Sequence, residues 1–209
     1  VQSIKTKEYD IEDASLMFMY FVDECYRRQA FFGRLMAVKN YFLLHYILEI
    51  NPQLAHFKRL PKGPHDPEFW DRLENLLVEK GWISIEEPNK EKKNVKYMPN
   101  RSIEYKSVLK EQFGDGWETV QKVVNEMADK DSQHAEVLAT VYAAWNDLMI
   151  FGKEPSEEKI LNEVLNHWPG EEKQKIPESA WRRGIKKLER LGIAPAGFGK
   201  PTRDQMKLL

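Results

Sequence analysis

Cysteine is almost missing from this chain: among 209 residues only Cys25 occurs, so no intrachain disulfide and no cysteine-rich metal site can form. Histidine is sparse, and His45, His56, His65, His134 and His167 are scattered with no pair at ligand spacing. No metal or other cofactor is expected. Long apolar runs are lacking too. The longest, Leu16 to Val22, falls far short of the ~20 residues that cross a bilayer, and no cationic leader with a small-residue cleavage site opens the chain. No membrane partner and a cytoplasmic location are therefore expected, and the opening Val1 is consistent with a piece of a longer polypeptide. Finally, neither sign of charge is in excess. With 32 Lys and Arg against 33 Asp and Glu the net charge is −1, so any nucleic-acid role must rest on local patches.

Aromatic and charged side chains are plentiful. Six Trp, eight Tyr and ten Phe supply bulk for one large or two small cores. The charged share of 31% exceeds the usual quarter or so, which suits extensive helix surface. In the stretch Ser132 to Gly152, the residues Val137, Leu138, Val141, Tyr142, Trp145, Leu148 and Met149 recur at three- and four-residue steps, the period of a helical face. Ala135, Ala139, Ala143 and Ala144 let neighbours approach. The spacing predicts a central helix covered on more than one side, with Ser132 as N-cap and Gly152 as left-handed terminator. Asn146 and Asp147 within it either face water or cap a neighbouring helix end, or, if buried, must find hydrogen-bond partners.

A first helix is expected from Asp13 or Ser15 through Tyr26, broken at Phe31-Phe32-Gly33, and a second from Arg34 to Ile50, with His45 as a core residue. Leu60 to Pro67 is dense in breakers and reads as a loop. Asp66 before Pro67 signals a third helix, running to Gly81. Trp82 to Ile85 and Val95 to Met98 then read as two strands joined across the polar turn Glu87 to Asn94. Helix, loop, capped helix and hairpin is the order of a winged helix. Lys90, Lys92 and Lys93 in the turn, with Lys96 in the second strand, suit either a wing on a phosphate backbone or a solvated hairpin tip.

Two shorter helices are expected at Ile103 to Gln112 and Trp117 to Met127, around the Phe113-Gly114-Asp115-Gly116 turn. Pro155-Ser156-Glu157-Glu158 starts another, ended by Pro169-Gly170. The last begins near Pro177 and buries Trp181, Ile185, Leu188 and Leu191 before Gly192. Its outward sector carries Arg182, Arg183, Lys186, Lys187 and Arg190, with only Glu189 opposing them nearby. The tail Pro195 to Pro201 is irregular, and Lys200 keeps it basic. The fold class expected is mainly α: a winged-helix-like N-terminal half with one small β-hairpin over residues 1–100, then a helical bundle over 101–209, two units that can pack as one body.

Catalytic signals are weak. Glu91-Lys92-Lys93, with Asp66 or Asp71 as a distant acid, matches half of a metal-dependent nuclease pattern, but the same triplet recurs at Glu157 to Lys159 and Glu171 to Lys173. No phosphate loop or nucleophile elbow is present. Asn51-Pro52-Gln53-Leu54 lacks the second proline and aromatic residue of an amino-methyltransferase motif. No catalytic residue is nominated.

Two stretches carry a family resemblance. Phe32-Gly33-Arg34-Leu35 leading to Gly63-Pro64-His65-Asp66-Pro67, and Ala139-Thr140-Val141-Tyr142-Ala143-Ala144-Trp145-Asn146-Asp147, resemble an accessory region of bacterial restriction-modification proteins, found toward the C-termini of specificity subunits and of methyltransferase or restriction polypeptides. Gly152-Lys153-Glu154-Pro155, Trp168, Ile176-Pro177, Trp181 and Pro195 to Lys200 continue it, so that it covers Phe32 to Lys200. His167-Trp168-Pro169 departs from the Trp-His order of that region, which puts a role for this histidine in doubt. The resemblance implies a non-catalytic host-defence module that helps a larger enzyme engage DNA or its partner subunits.

The residues expected on double-stranded DNA, through backbone contacts, are Lys90, Lys92, Lys93, Lys96, Arg182, Arg183, Lys186, Lys187, Arg190 and Lys200. Other restriction-modification subunits are the second partner class. The alternatives are a pure protein-interaction scaffold, with an exposed apolar patch around Phe31, Phe32 and Phe198, and a metal-dependent nuclease domain.

Overall fold

The computed structural model describes residues 9–89, 94–100, 105–128 and 130–203. The fold is mainly helical, with two small antiparallel hairpins. Helix α1 (Ile11–Arg27) starts one turn earlier than expected. Asp10 accepts from the N–H groups of Glu12 and Asp13, and Asp13 returns a bond to the Asp10 N–H at 3.1 Å, a reciprocal cap that outcompetes Asp13 or Ser15 as the start. Helix α2 (Arg34–Ile47) follows.

The stretch expected as a loop closes on itself. Strands β1 (Lys58–Leu60) and β2 (Gly63–His65) pair antiparallel, Lys58 opposite His65 and Leu60 opposite Gly63. Pro61 and Lys62 occupy the turn, where proline's missing N–H costs nothing. The single expected hairpin is therefore two. Gly63 stands at φ +100°, and a Cβ there would lie 3.0 Å from both Lys39 Cε and Thr140 Oγ1, so only glycine suits this close approach.

Helix α3 (Pro67–Glu79) is capped by Asp66, which accepts from the Phe69 N–H at 3.1 Å. Strands β3 (Ile83–Asn89) and β4 (Asn94–Pro99) then pair with Ile85 opposite Tyr97. Tyr97 fixes this hairpin to the body. Its N–H donates to the Phe32 carbonyl at 3.0 Å and its ring meets Phe18 edge-on at 5.1 Å. The hairpin thus packs on α1, α2 and α3.

Helices α4 (Tyr105–Phe113) and α5 (Trp117–Met127) flank a 3-10 turn at Gly114–Gly116. Helix α6 (Ser132–Ile150) follows. Its cap is Asp131, not Ser132: the carboxylate accepts from the His134 N–H at 2.7 Å, and Ser132 is already helical. Gly152 closes it at φ +68° as expected. Helix α7 (Glu157–Asn166) is capped by Ser156, and α8 (Glu178–Leu191) ends at left-handed Gly192.

Helix α6 is the hub, packing on α2, α7 and α8. Its residues from Val137 to Ala144 are all buried, and one contiguous apolar cluster runs from Tyr9 to Ile193, across the residue-100 boundary. Fully buried anchors such as Trp70, Phe42, Tyr142 and Trp181 each contribute ~1.5–3 kcal/mol. Among the described residues no helix is long and apolar enough to cross a membrane.

Candidate nucleic-acid interface

The site is set by how α8 lies on α6. Trp181, Ile185 and Leu188 form the buried stripe of α8, and Gly184 sits between them where α6 comes closest. A Cβ on Gly184 would stand 2.7 Å from Val137 Cγ1, so the glycine is what permits this separation. With the apolar stripe inward, the helical step of about 100° per residue turns Arg182, Arg183, Lys186, Lys187 and Arg190 outward in one sector.

That sector is neutralised at its two edges and open in the middle. At one edge Arg182 pairs with Glu157 and Glu158, the latter at 2.8 Å, from the first turn of α7, and with Glu178 at 2.7 Å. The carboxylates hold its guanidinium pKa above the usual range. At the other edge Lys187 reaches Glu126 Oε2 on α5 at 2.7 Å, and Glu126 Oε1 lies 3.1 Å from His134 Nε2. Burial lowers the His134 pKa, and Lys130 and Lys187 add to this against the pull of Glu126. A neutral imidazole beside that carboxylate requires the Nε2–H tautomer. Between these edges, Arg183 bonds only Ser179 Oγ, at 3.3 Å, and Arg190 Nε donates to the Lys186 carbonyl at 3.3 Å. Arg183, Lys186 and Arg190 are exposed, and no ion pair to any of them occurs among the described residues.

Arg183, Lys187 and Arg190 also line a groove of about 350 Å³ between α8 and the first turns of α6. Its floor is Val137, Leu138, Ala180 and Gly184, and Asp131, Gln133 and His134 complete the rim.

The remaining candidates lie elsewhere. Lys96 is opposite Glu86 on the β3–β4 hairpin, whose packing partners are α1, α2 and α3, whereas those of α8 are α6 and α7. Lys200 lies on the tail, its ammonium 3.1 Å from Gln53 Oε1 and its carbonyl accepting from Tyr46 Oη at 2.9 Å. Lys90, Lys92 and Lys93 lie outside the described residues, as does Glu91. The apolar patch expected around Phe31, Phe32 and Phe198 does not assemble. Phe32 is buried against Phe18, Phe21 and Tyr97, Phe198 packs on Tyr46, and Phe31 alone is exposed.

Sequence reasoning missed a buried polar seam that holds the tail in place. Asn146 and Asp147 neither face water nor cap a helix; both are about 1% exposed and grip tail segments. Asn146 donates to the Phe198 carbonyl at 2.8 Å and accepts from the Gly197 N–H at 3.0 Å. Asp147 accepts from the Thr202 N–H at 2.8 Å, from Thr202 Oγ1 at 2.6 Å and from Arg59 Nη2 at 2.9 Å. Burial pushes the Asp147 pKa up, while Arg59 and Thr202 pull against it. Arg59 Nη1 also reaches Glu163 at 3.1 Å and the His167 carbonyl at 3.0 Å, and Arg59 lies over the Trp168 ring at 4.7 Å. His167 thus serves through its backbone.

The seam continues along the same side of α6. Glu136 takes the buried ammonium of Lys173 at 2.5 Å, and Lys39, buried alongside, donates to the Pro64 carbonyl at 2.6 Å. Burial, then repulsion from Lys173, pulls the Lys39 pKa down to about 7 against the attraction of Glu136. The only sequence signal for the seam was the polar pair Asn146-Asp147 inside an apolar helix. Among the described residues, no three His, Cys, Asp or Glu side chains gather as metal ligands would. Comparison with family models, curated proteins and solved structures finds no match.

Proposed function

We propose that this chain is a non-catalytic module that engages duplex DNA through backbone phosphates and docks other subunits, in a restriction-modification system. The observation that carries the DNA half is the open centre of the α8 sector. Arg183, Lys186 and Arg190 stand together, exposed and free of ion pairs among the described residues, while Arg182 and Lys187 beside them are already paired. Three such cations along one helix suit phosphates, which give affinity without base readout. The restriction-modification setting follows from the resemblance over Phe32 to Lys200. In this reading the β3–β4 hairpin, following capped α3, serves as the wing of a winged-helix-like half, and its lysines add contacts of the same kind.

The test is a duplex-binding titration at low salt, comparing the wild type with Arg183→Ala/Lys186→Ala/Arg190→Ala. The triple variant is expected to lose most of its affinity, and equal binding would remove α8 from the interface. Arg182→Ala serves as the comparison. Its guanidinium is already held by three carboxylates, so its loss is expected to change binding little.

A further inference from the structure

The α6–α8 groove has a feature that a sugar-phosphate backbone leaves unused: its floor is aliphatic, made by Val137, Leu138, Ala180 and Gly184. The close approach at Gly184 leaves this floor uncovered between the helices. Above it stand Arg183 and Arg190, the two guanidinium forks of the groove, with no carboxylate on either among the described residues.

Charge and spacing together narrow the occupant. Arg183 and Arg190 are seven positions apart, about 10.5 Å along the helix axis at 1.5 Å per residue. Carboxylates seven positions apart on a second helix laid along α8 repeat that distance, and each can take a guanidinium in bidentate fashion. The residues midway between those carboxylates then point toward the floor, where an apolar side chain replaces water.

We infer that the α6–α8 groove docks an acidic amphipathic helix of a partner subunit, with carboxylates on Arg183 and Arg190 and an aliphatic side chain on the Val137–Gly184 floor. This rests on the docking half of the proposed function and is independent of the DNA half. Because the two ligands share Arg183 and Arg190, the helix and a duplex exclude one another. Lys186 does not line the groove and belongs to the DNA contact alone.

The experiment is fluorescence anisotropy on the intact chain with a labelled synthetic helix on an alanine-glutamine framework, carrying two glutamates seven apart and leucines midway. Two control peptides replace the glutamates by glutamine or the leucines by alanine. The parent peptide is expected to bind saturably, each control to bind about tenfold more weakly, and a short duplex to displace the parent. Arg183→Ala/Arg190→Ala is expected to weaken the peptide about tenfold, while Lys186→Ala weakens only the duplex. Both arginines are exposed, and the control peptides test the inference on the unaltered protein. Absence of saturable binding overturns it. So does equal binding of the leucine-free peptide, which would reduce the groove to a patch of charge. Duplex binding without peptide binding leaves the DNA half standing and sinks this inference. Peptide binding without duplex binding does the reverse.

Discussion

Replacing Arg59 by methionine strikes the seam at its most connected member. Arg59 is 8% exposed and lies between Asp147 at 2.9 Å and Glu163 at 3.1 Å. Methionine keeps the apolar stem over Trp168 and removes the charge. Asp147 then keeps only its two Thr202 bonds, and Glu163 only its Arg203 pair at 3.0 Å. Removing one member of a buried ion pair costs ~3–5 kcal/mol, mainly through the charge left behind, against a total stability on the order of 5–15 kcal/mol. With a urea slope of about 2 kcal/mol per molar, the unfolding midpoint falls by roughly 1.5–2.5 M. The loss also depends on pH. Without Arg59 the folded-state pKa of Asp147, already raised by burial, rises further above its unfolded value. A group raised in this way contributes stability that is fully present below the unfolded pKa and lost as pH rises through the folded pKa, so the penalty shrinks as pH is lowered from 7. Urea melts at pH 7 and pH 5, with Arg182→Ala as the surface-pair comparison, decide it. A midpoint shift no larger than that of Arg182→Ala, or one that grows on acidification, would refute the reasoning.

Other outcomes follow from the same packing. Gly184→Ala places a Cβ 2.7 Å from Val137 Cγ1; overpacking of about 1–3 kcal/mol is set against a helix-propensity gain of about 1 kcal/mol, and the net loss in a thermal melt is expected to be partly recovered by adding Val137→Ala. Burial lowers the His45 pKa to about 4; its stabilising contribution is present above the unfolded value of about 6.5 and lost as pH falls toward 4, by about 3 kcal/mol in full. His45→Gln should flatten that part of the stability-pH profile, and an unchanged profile would assign the loss to other groups. Lys39, with its pKa lowered to about 7, makes the protein more stable on moving from pH 7 to pH 9, because protonation favours the unfolded chain. Lys39→Met should abolish that rise in urea midpoint.

Local chemistry was legible in the sequence, and long-range pairing was not. Asp66-Pro67 and Ser156 with its two glutamates fix helix starts through their own side chains, and Gly152 and Gly192 end helices through their own backbones. Where two local candidates compete, neighbouring geometry decides, as when Asp131 displaces Ser132 and Asp10 displaces Asp13. The breakers from Leu60 to Pro67 reveal a reversal of chain direction but not that its two arms pair. The basic sector of α8 was visible in its spacing. That Glu157, Glu158 and Glu126 would neutralise its edges was not, because those carboxylates come from α7 and α5 and meet it only after folding. Arg59, Lys39 and Lys173 are single cations whose partners lie far away in sequence, and no spacing rule separates them from surface charges.

The central claim is that the open cations of α8 hold phosphates, and the salt dependence of duplex binding tests it most directly. Three phosphate contacts contribute about 2.7 to the slope of log affinity against log salt, roughly a 40-fold loss between 50 and 200 mM. The account predicts that Arg183→Ala/Lys186→Ala/Arg190→Ala lowers the wild-type slope by about that amount, while Arg182→Ala leaves it unchanged. A slope that is the same in the wild type and the triple variant would contradict it.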